Sequence, residues 1–172
     1  MASLMENLIE VLQQQSEVYA GLLELSQQKT PYIVAGDLEK INQITDEEQV
    51  WLSKLAMLER KRTEVTKDIA NVLNKDVATL KITNLVEMLS SRPQEAAALA
   101  SARDSLAEVV KKLQLVNERN RELIDHSLKL VEFDMTLLQS MKAAPTTANY
   151  DRGAYNTGSV MGVGGSSFDA KQ

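Results

Sequence analysis

Between residues 37 and 74 apolar side chains recur at alternating steps of three and four: Ile41, Ile44, Trp51, Leu55, Leu58, Val65, Ile69 and Val72. Glu48 and Arg62 fill the two remaining slots, so eight of ten seam positions are apolar. Steps of three and four put all ten on one face of an α-helix, and a 3.5-residue period makes that face a seam for another helix. Gly36 breaks the chain ahead of this stretch, and Asp37 offers an N-cap carboxylate to the first free backbone N–H groups. A helix of this length extends about 57 Å, too long for the centre of a sphere, so it must lie along other long helices.

The same stepping appears on either side. Leu4, Leu8, Val11, Val18, Leu22 and Leu25 predict a first helix over residues 4–25, with Gln15 as the polar member and Met5, Leu12 and Tyr19 widening the stripe. Pro31 lacks a donor and clashes with the preceding turn, which predicts a kink or an end between Lys29 and Gly36. Residues 75–92 read as a connector, with Thr83 capping a short helix through Leu89 and with apolar residues such as Leu80, Leu85 and Leu89 available to cover one end of a bundle. Pro93 sits in the first turn of a third long helix reaching about Lys142. Its seam runs Leu99, Ala102, Leu106, Val109, Leu113, Val116, Asn120, Leu123, Ser127, Leu130, Asp134, Leu137 and Met141. The expected fold is all-α: an elongated antiparallel bundle of three long helices with a short connector helix, the C-terminal end of the third overhanging.

Two features of this pattern point beyond a core. Glu48 and Arg62 are two heptads apart, about 21 Å by helical rise, so they cannot pair with each other and are expected to set register through contacts with other helices. Residues 130–141 hold Leu130, Val131, Phe133, Met135, Leu137, Leu138 and Met141, more apolar positions than one seam buries. Left uncovered they form a patch for a partner, and the thioethers of Met135 and Met141 suit an adaptable surface; a homodimer seam or ordinary core is the competing reading. Beyond Lys142 the texture changes. Residues 143–172 contain five of the seven glycines and two of the four tyrosines, Tyr150 and Tyr155, which predicts a disordered Gly/Ser-rich tail after a helical domain of residues 1–142. Aromatic residues in such a tail serve as short recognition anchors.

Composition narrows the function classes. With 44% hydrophobic but only 4% aromatic residues, the chain has the make-up of a helical bundle. A formal net charge of −5 argues against nucleic acid, since the basic cluster Arg60, Lys61, Arg62 and Lys67 alternates with Glu59 and Glu64 around a helix. There is no cysteine, residues 1–10 do not read as a secretion signal, and no stretch approaches a membrane span, so a cytoplasmic protein without stable membrane insertion is expected. His126 is the single histidine, which leaves neither a two-histidine metal motif nor a histidine–cysteine dyad, and no glycine-rich loop is placed to cradle phosphate. No cofactor and no enzymatic activity are expected.

The residues also carry a resemblance. The entry Ala35-Gly36-Asp37-Leu38, the seam Glu48, Leu58-Glu59-x-x-Arg62, and Asn117-x-x-Asn120-x-x-Leu123-Ile124-x-x-Ser127-Leu128 together resemble the FlgN family of flagellar export chaperones. The likeness covers residues 4–142, and the tail is similar to the family's mobile C-terminus; Pro31 departs from the family's usual uninterrupted first helix. The resemblance implies a chaperone that binds the C-terminal segments of hook-filament junction proteins, prevents premature association and delivers them to the flagellar type III export gate. It implies that Asn117, Asn120, Leu123 and Ile124 belong to the family signature of the third helix, and that Leu130, Phe133, Leu137, Leu138 and Met141 lie in the client-binding region. Tyr150, with Tyr155 in reserve, is the residue it suggests for docking at the export gate. The asparagines have two open uses, bonding a client or bonding a neighbouring helix. The alternative from the heptads alone is a structural coiled-coil protein that pairs with copies of itself, and a homodimer is compatible with either reading.

Overall fold

The computed structural model describes residues 3–143, apart from the side chains of Thr79 and Ala143. Their elements are α1 (Leu4–Ala35), α2 (Leu38–Leu73), a 3₁₀ turn (Val77–Thr79), α3 (Ile82–Met88), a second 3₁₀ turn (Leu89–Ser91) and α4 (Pro93–Ala143). Among the described residues there is no strand, and the protein is all-α. Contacts divide the chain into two compact units, Met1–Glu132 and Phe133–Gln172.

Local signals explain most boundaries. Ser3 begins α1 with a capping box: its Oγ accepts from Glu6 N at 3.1 Å, and its own N–H donates to Glu6 Oε2 at 2.6 Å. Asp37 caps α2 as the sequence reading expects, its carboxylate accepting from Lys40 N at 3.1 Å. Gly36 ends α1 in the left-handed region at φ 68°, where an L side chain is disfavoured, and Asn74 ends α2 in the same way at φ 49°. Pro93 opens α4 at its first position, where its missing donor is no loss. The connector helix differs in detail: Lys81 stands at its N-cap without a side-chain bond, and Thr83 lies inside it.

The first helix is ten residues longer than its heptad pattern suggests. It passes through Pro31 and ends at Ala35, so the expected interruption is only the Gly36 cap. An internal proline costs about 3 kcal/mol of helix stability, yet contacts on both sides hold this segment. Lys29 and Thr30 bond to α2 and α4 just before it, and Ile33 is buried just after it.

Within the first unit, a core forms from Leu8 and Leu12 of α1, Val65, Ile69 and Ala70 of α2, Leu80, Leu85 and Leu89 of the connector, and Leu99 and Ala102 of α4. The connector therefore seals one end of a helical bundle, as its apolar residues predict. A second cluster joins Val18 and Leu22 to Leu113, with Trp51, Leu55 and Leu58 packed against it. The contacts Gln15–Glu59 and Lys29–Glu48 run in opposite sequence order, so α1 and α2 are antiparallel. Leu8 and Leu99 share the first cluster, Leu22 and Leu113 the second, and Ser26 bonds Asn120; the two series ascend together, so α4 follows α1 in the same direction up to Asn120. Val72 departs from its seam role and is exposed.

Trp51 meets α1 at Gly21. A Cβ there would lie 2.8 Å from the ring's Cη2 and 2.9 Å from Cζ2 and Cζ3, closer than real Cβ contacts come. Glycine inside a helix costs about 1 kcal/mol relative to alanine, so its presence here reflects the approach of the indole to the α1 backbone. Gly21→Ala is expected to push the ring outward and destabilise the fold by about 1 kcal/mol net, overpacking outweighing the gain in helix propensity. As Trp51 is the sole tryptophan, a red-shifted native fluorescence spectrum together with a lower urea midpoint would report it; unchanged emission would refute it.

Candidate functional site

The polar seam residues Gln15, Glu48 and Asn120 are used between helices; Arg62 is not. Lys29 Nζ donates to Glu48 Oε2 at 2.5 Å, with both side chains mostly buried (15% and 17% exposed), so the charge at this α2 seam position is matched from α1. Fully buried Gln15 donates through Nε2 to Glu59 Oε1 at 2.9 Å, and Arg62 Nη2 donates to Glu59 Oε2 at 2.7 Å. Glu48 thus has the register-setting contact between helices that its spacing suggests, whereas Arg62 pairs within its own helix, with Glu59 three residues before it.

Asn120 is the most committed polar residue of α4. It is buried, its Nδ2 donates to the Ser26 carbonyl at 2.8 Å, and its Oδ1 accepts from Thr30 Oγ1 at 2.7 Å. Of the two uses open to it, the structure displays the bond to a neighbouring helix. Asn120→Asp cannot donate to the carbonyl and introduces a charge beside it, so a loss of about 2–3 kcal/mol is expected. Asn120→Leu removes both partners' need at once and is expected to cost under about 1 kcal/mol, because the Thr30 hydroxyl also lies 3.2 Å from the Ser26 carbonyl. Equal chemical-denaturation midpoints for the two variants would contradict this account.

Asn117 and Ile124 are exposed, and Leu123 is half-buried. With Asn120 they are parted by the helical period: Asn117, Asn120 and Ile124 line a cleft of about 310 Å³ among α1, α2 and α4, whereas Leu123 does not. The α1 wall is Leu22, Ser26, Lys29 and Ile33; the α2 wall is Glu48 and Leu52; α4 contributes Leu113 and Arg121 besides. Sequence reasoning missed Leu52, Ile33 and Arg121. Leu52 lies beside the heptad rather than on it, and at 44% exposure an off-seam leucine was the available signal. Arg121 follows Asn117 by one turn, but only the fold shows that this turn faces a cleft.

Every described residue from Ile124 to Lys142 is exposed. In the first unit these include Leu128, Leu130 and Val131. The described residues of the second unit form the last turns of α4, where Phe133, Met135, Leu137, Leu138 and Met141 are 64, 56, 47, 58 and 67% exposed. Tyr150 and Tyr155, and the tail from residue 144, lie outside the described residues.

Among the described residues no group of three or more histidine, aspartate or glutamate side chains could hold a metal ion, and no helix is long and apolar enough to cross a membrane. His126 is exposed.

A family model described as "FlgN protein" matches residues 1–157. The chain is 25% identical over 131 residues to the uncharacterized protein YvyG of Bacillus subtilis (strain 168), covering 76% of this chain and 78% of that relative. No solved structure matches it.

Proposed function

The chain belongs to the FlgN family, a family of flagellar chaperones rather than enzymes, and from that premise we propose that it is a cytosolic chaperone of flagellar type III export. It binds the C-terminal segments of hook-filament junction proteins, keeps them from associating early and brings them to the export gate. The observation that carries this reading is the run of exposed apolar side chains at the end of α4, from Leu130 through Phe133, Leu137 and Leu138 to Met141. Large apolar residues exposed together on a soluble helix mark an interaction surface, and an amphipathic client helix laid against them masks both apolar faces. Asn117, Leu123 and Ile124, which lie earlier on the same helix within the first unit, are assigned to client binding as well. Within the first unit the three long helices act as one antiparallel bundle, and the residues after 142 act as a separate tail.

Mass in solution by light scattering tests the reading, alone and after mixing with the C-terminal segment of a hook-filament junction protein from the same organism. A stoichiometric complex is the expected result; a stable oligomer that ignores the segment would instead favour the self-pairing coiled coil. The tail is given the gate-docking role, with Tyr150 as first candidate and Tyr155 as second. Deleting residues 143–172 is expected to leave client affinity within about twofold, since no client contact is assigned there, while blocking export. Loss of client binding with the tail would overturn that division of labour.

A further inference from the structure

The cleft among α1, α2 and α4 has an apolar floor and an unspent cation at its rim. Leu22, Ile33 and Leu113 are buried in its base, and Leu52 and Ile124, at 44% and 41% exposure, stand at its edges. Of the three charged groups around it, Lys29 and Glu48 neutralise each other. Arg121 has no ion pair or hydrogen bond among the described residues, and neither has the exposed Asn117 one turn before it. Arg121 is thus the one charged group of the cleft lining without a partner among the described residues, and it stands beside apolar surface. At about 310 Å³ the cleft lies at the small end of ligand sites, too small to enclose a helix but suited to side chains projecting from one laid across its mouth.

We propose that this cleft receives the apolar side chains of an amphipathic helix bearing a carboxylate about one turn from them, with Arg121 clasping the carboxylate and Leu52 and Ile124 gripping the apolar anchor. The proposal rests on the chaperone reading and deepens it: the partner helix is a client segment, and its acidic residue sets the register. Guanidinium is the fitting group because it binds carboxylate in a planar two-bonded fork and is only weakly hydrated. The Asn117 amide, on the same face, is placed to bond the partner's polar edge.

Calorimetric titration of the full chain with the client C-terminal segment tests it. Arg121→Glu and Leu52→Asp are each expected to lower affinity roughly tenfold or more, and Arg121→Lys by much less. A lysine replacing one acidic residue of the segment should restore binding to Arg121→Glu. Both positions are exposed, so circular dichroism melts should stay as in the parent chain; should Leu52→Asp unfold, the Arg121 series decides alone. Parent-like affinity in Arg121→Glu, while Phe133→Asp fails to bind, would overturn the cleft and leave the chaperone reading standing. If the parent chain ignores the segment, the chaperone reading falls and a second probe judges the cleft. That probe is a designed amphipathic peptide with leucines four apart and a glutamate one turn away, compared with its lysine twin by methyl NMR. Shifts at Leu52 and Ile124 from the acidic peptide alone uphold the cleft; no shifts, or equal shifts from both, overturn it.

Discussion

With Phe133 and Leu137 replaced by aspartate, the chain is expected to lose capture of its client segment while its helical circular dichroism and melting midpoint stay close to the parent's. The two residues are one turn apart on α4, 64% and 47% exposed, and continue the step that includes Leu130 and Met141. In the free protein an aspartate at either site remains in water, so the folded state loses little; exposed substitutions change stability by about 0.5 kcal/mol or less. In a complex each site is covered. Every substitution then forfeits about 1.5–3 kcal/mol of apolar burial and adds the cost of dehydrating a carboxylate, which together amount to a hundredfold or more in affinity. The measurement is paired: calorimetric titration with the segment, and a urea melt of the free chain. If the variant loses its fold along with binding, these side chains belong to a core and the surface assignment is wrong.

The second large effect is expected at the other end of the same helix. Leu99 is 0% exposed and belongs to one core cluster with Leu8, Leu12, Ile69 and Leu85, to which α1, α2, α3 and α4 all contribute. Leu99→Ala removes part of that core and leaves a cavity between helices that cannot all close in, for a loss of about 3–4 kcal/mol. Domains of this size are stable by only about 5–15 kcal/mol, so the urea midpoint should fall by a large fraction of its value. Leu138→Ala, also on α4 but 58% exposed, should leave the midpoint nearly unchanged. Similar losses for the two leucines would mean that α4 is covered along its whole length, against the division between its buried first half and its exposed second half.

That division also marks what could be read in advance. The seam of α4 continues at steps of three and four from Leu99 to Met141, so the pattern alone treats Leu113 and Leu137 as equivalents. Leu113 is buried against Val18 and Leu22, while Leu137 is exposed. The candidate apolar surface was legible as a surplus, because no single helix face buries seven large residues in twelve positions. The cleft was not, because its walls come from three helices far apart in sequence.

The sequence by itself determined most of the helix boundaries and which face of each helix is apolar, because these follow from nearby residues. Asp37 and Gly36 set the α1–α2 junction through one side-chain bond and one left-handed residue; around the connector, left-handed Asn74 ends α2 and Pro93 opens α4 at its first position. Only the tertiary structure decided how polar and strained positions are used. Pro31 stays inside a helix because Lys29, Thr30 and Ile33 are held by other elements; Asn120 turns inward because Ser26 and Thr30 present an acceptor and a donor to it. The physical reason is range. Caps and seams depend on atoms within about one helical turn, whereas burial, pairing and the faces left open depend on which distant segments arrive alongside.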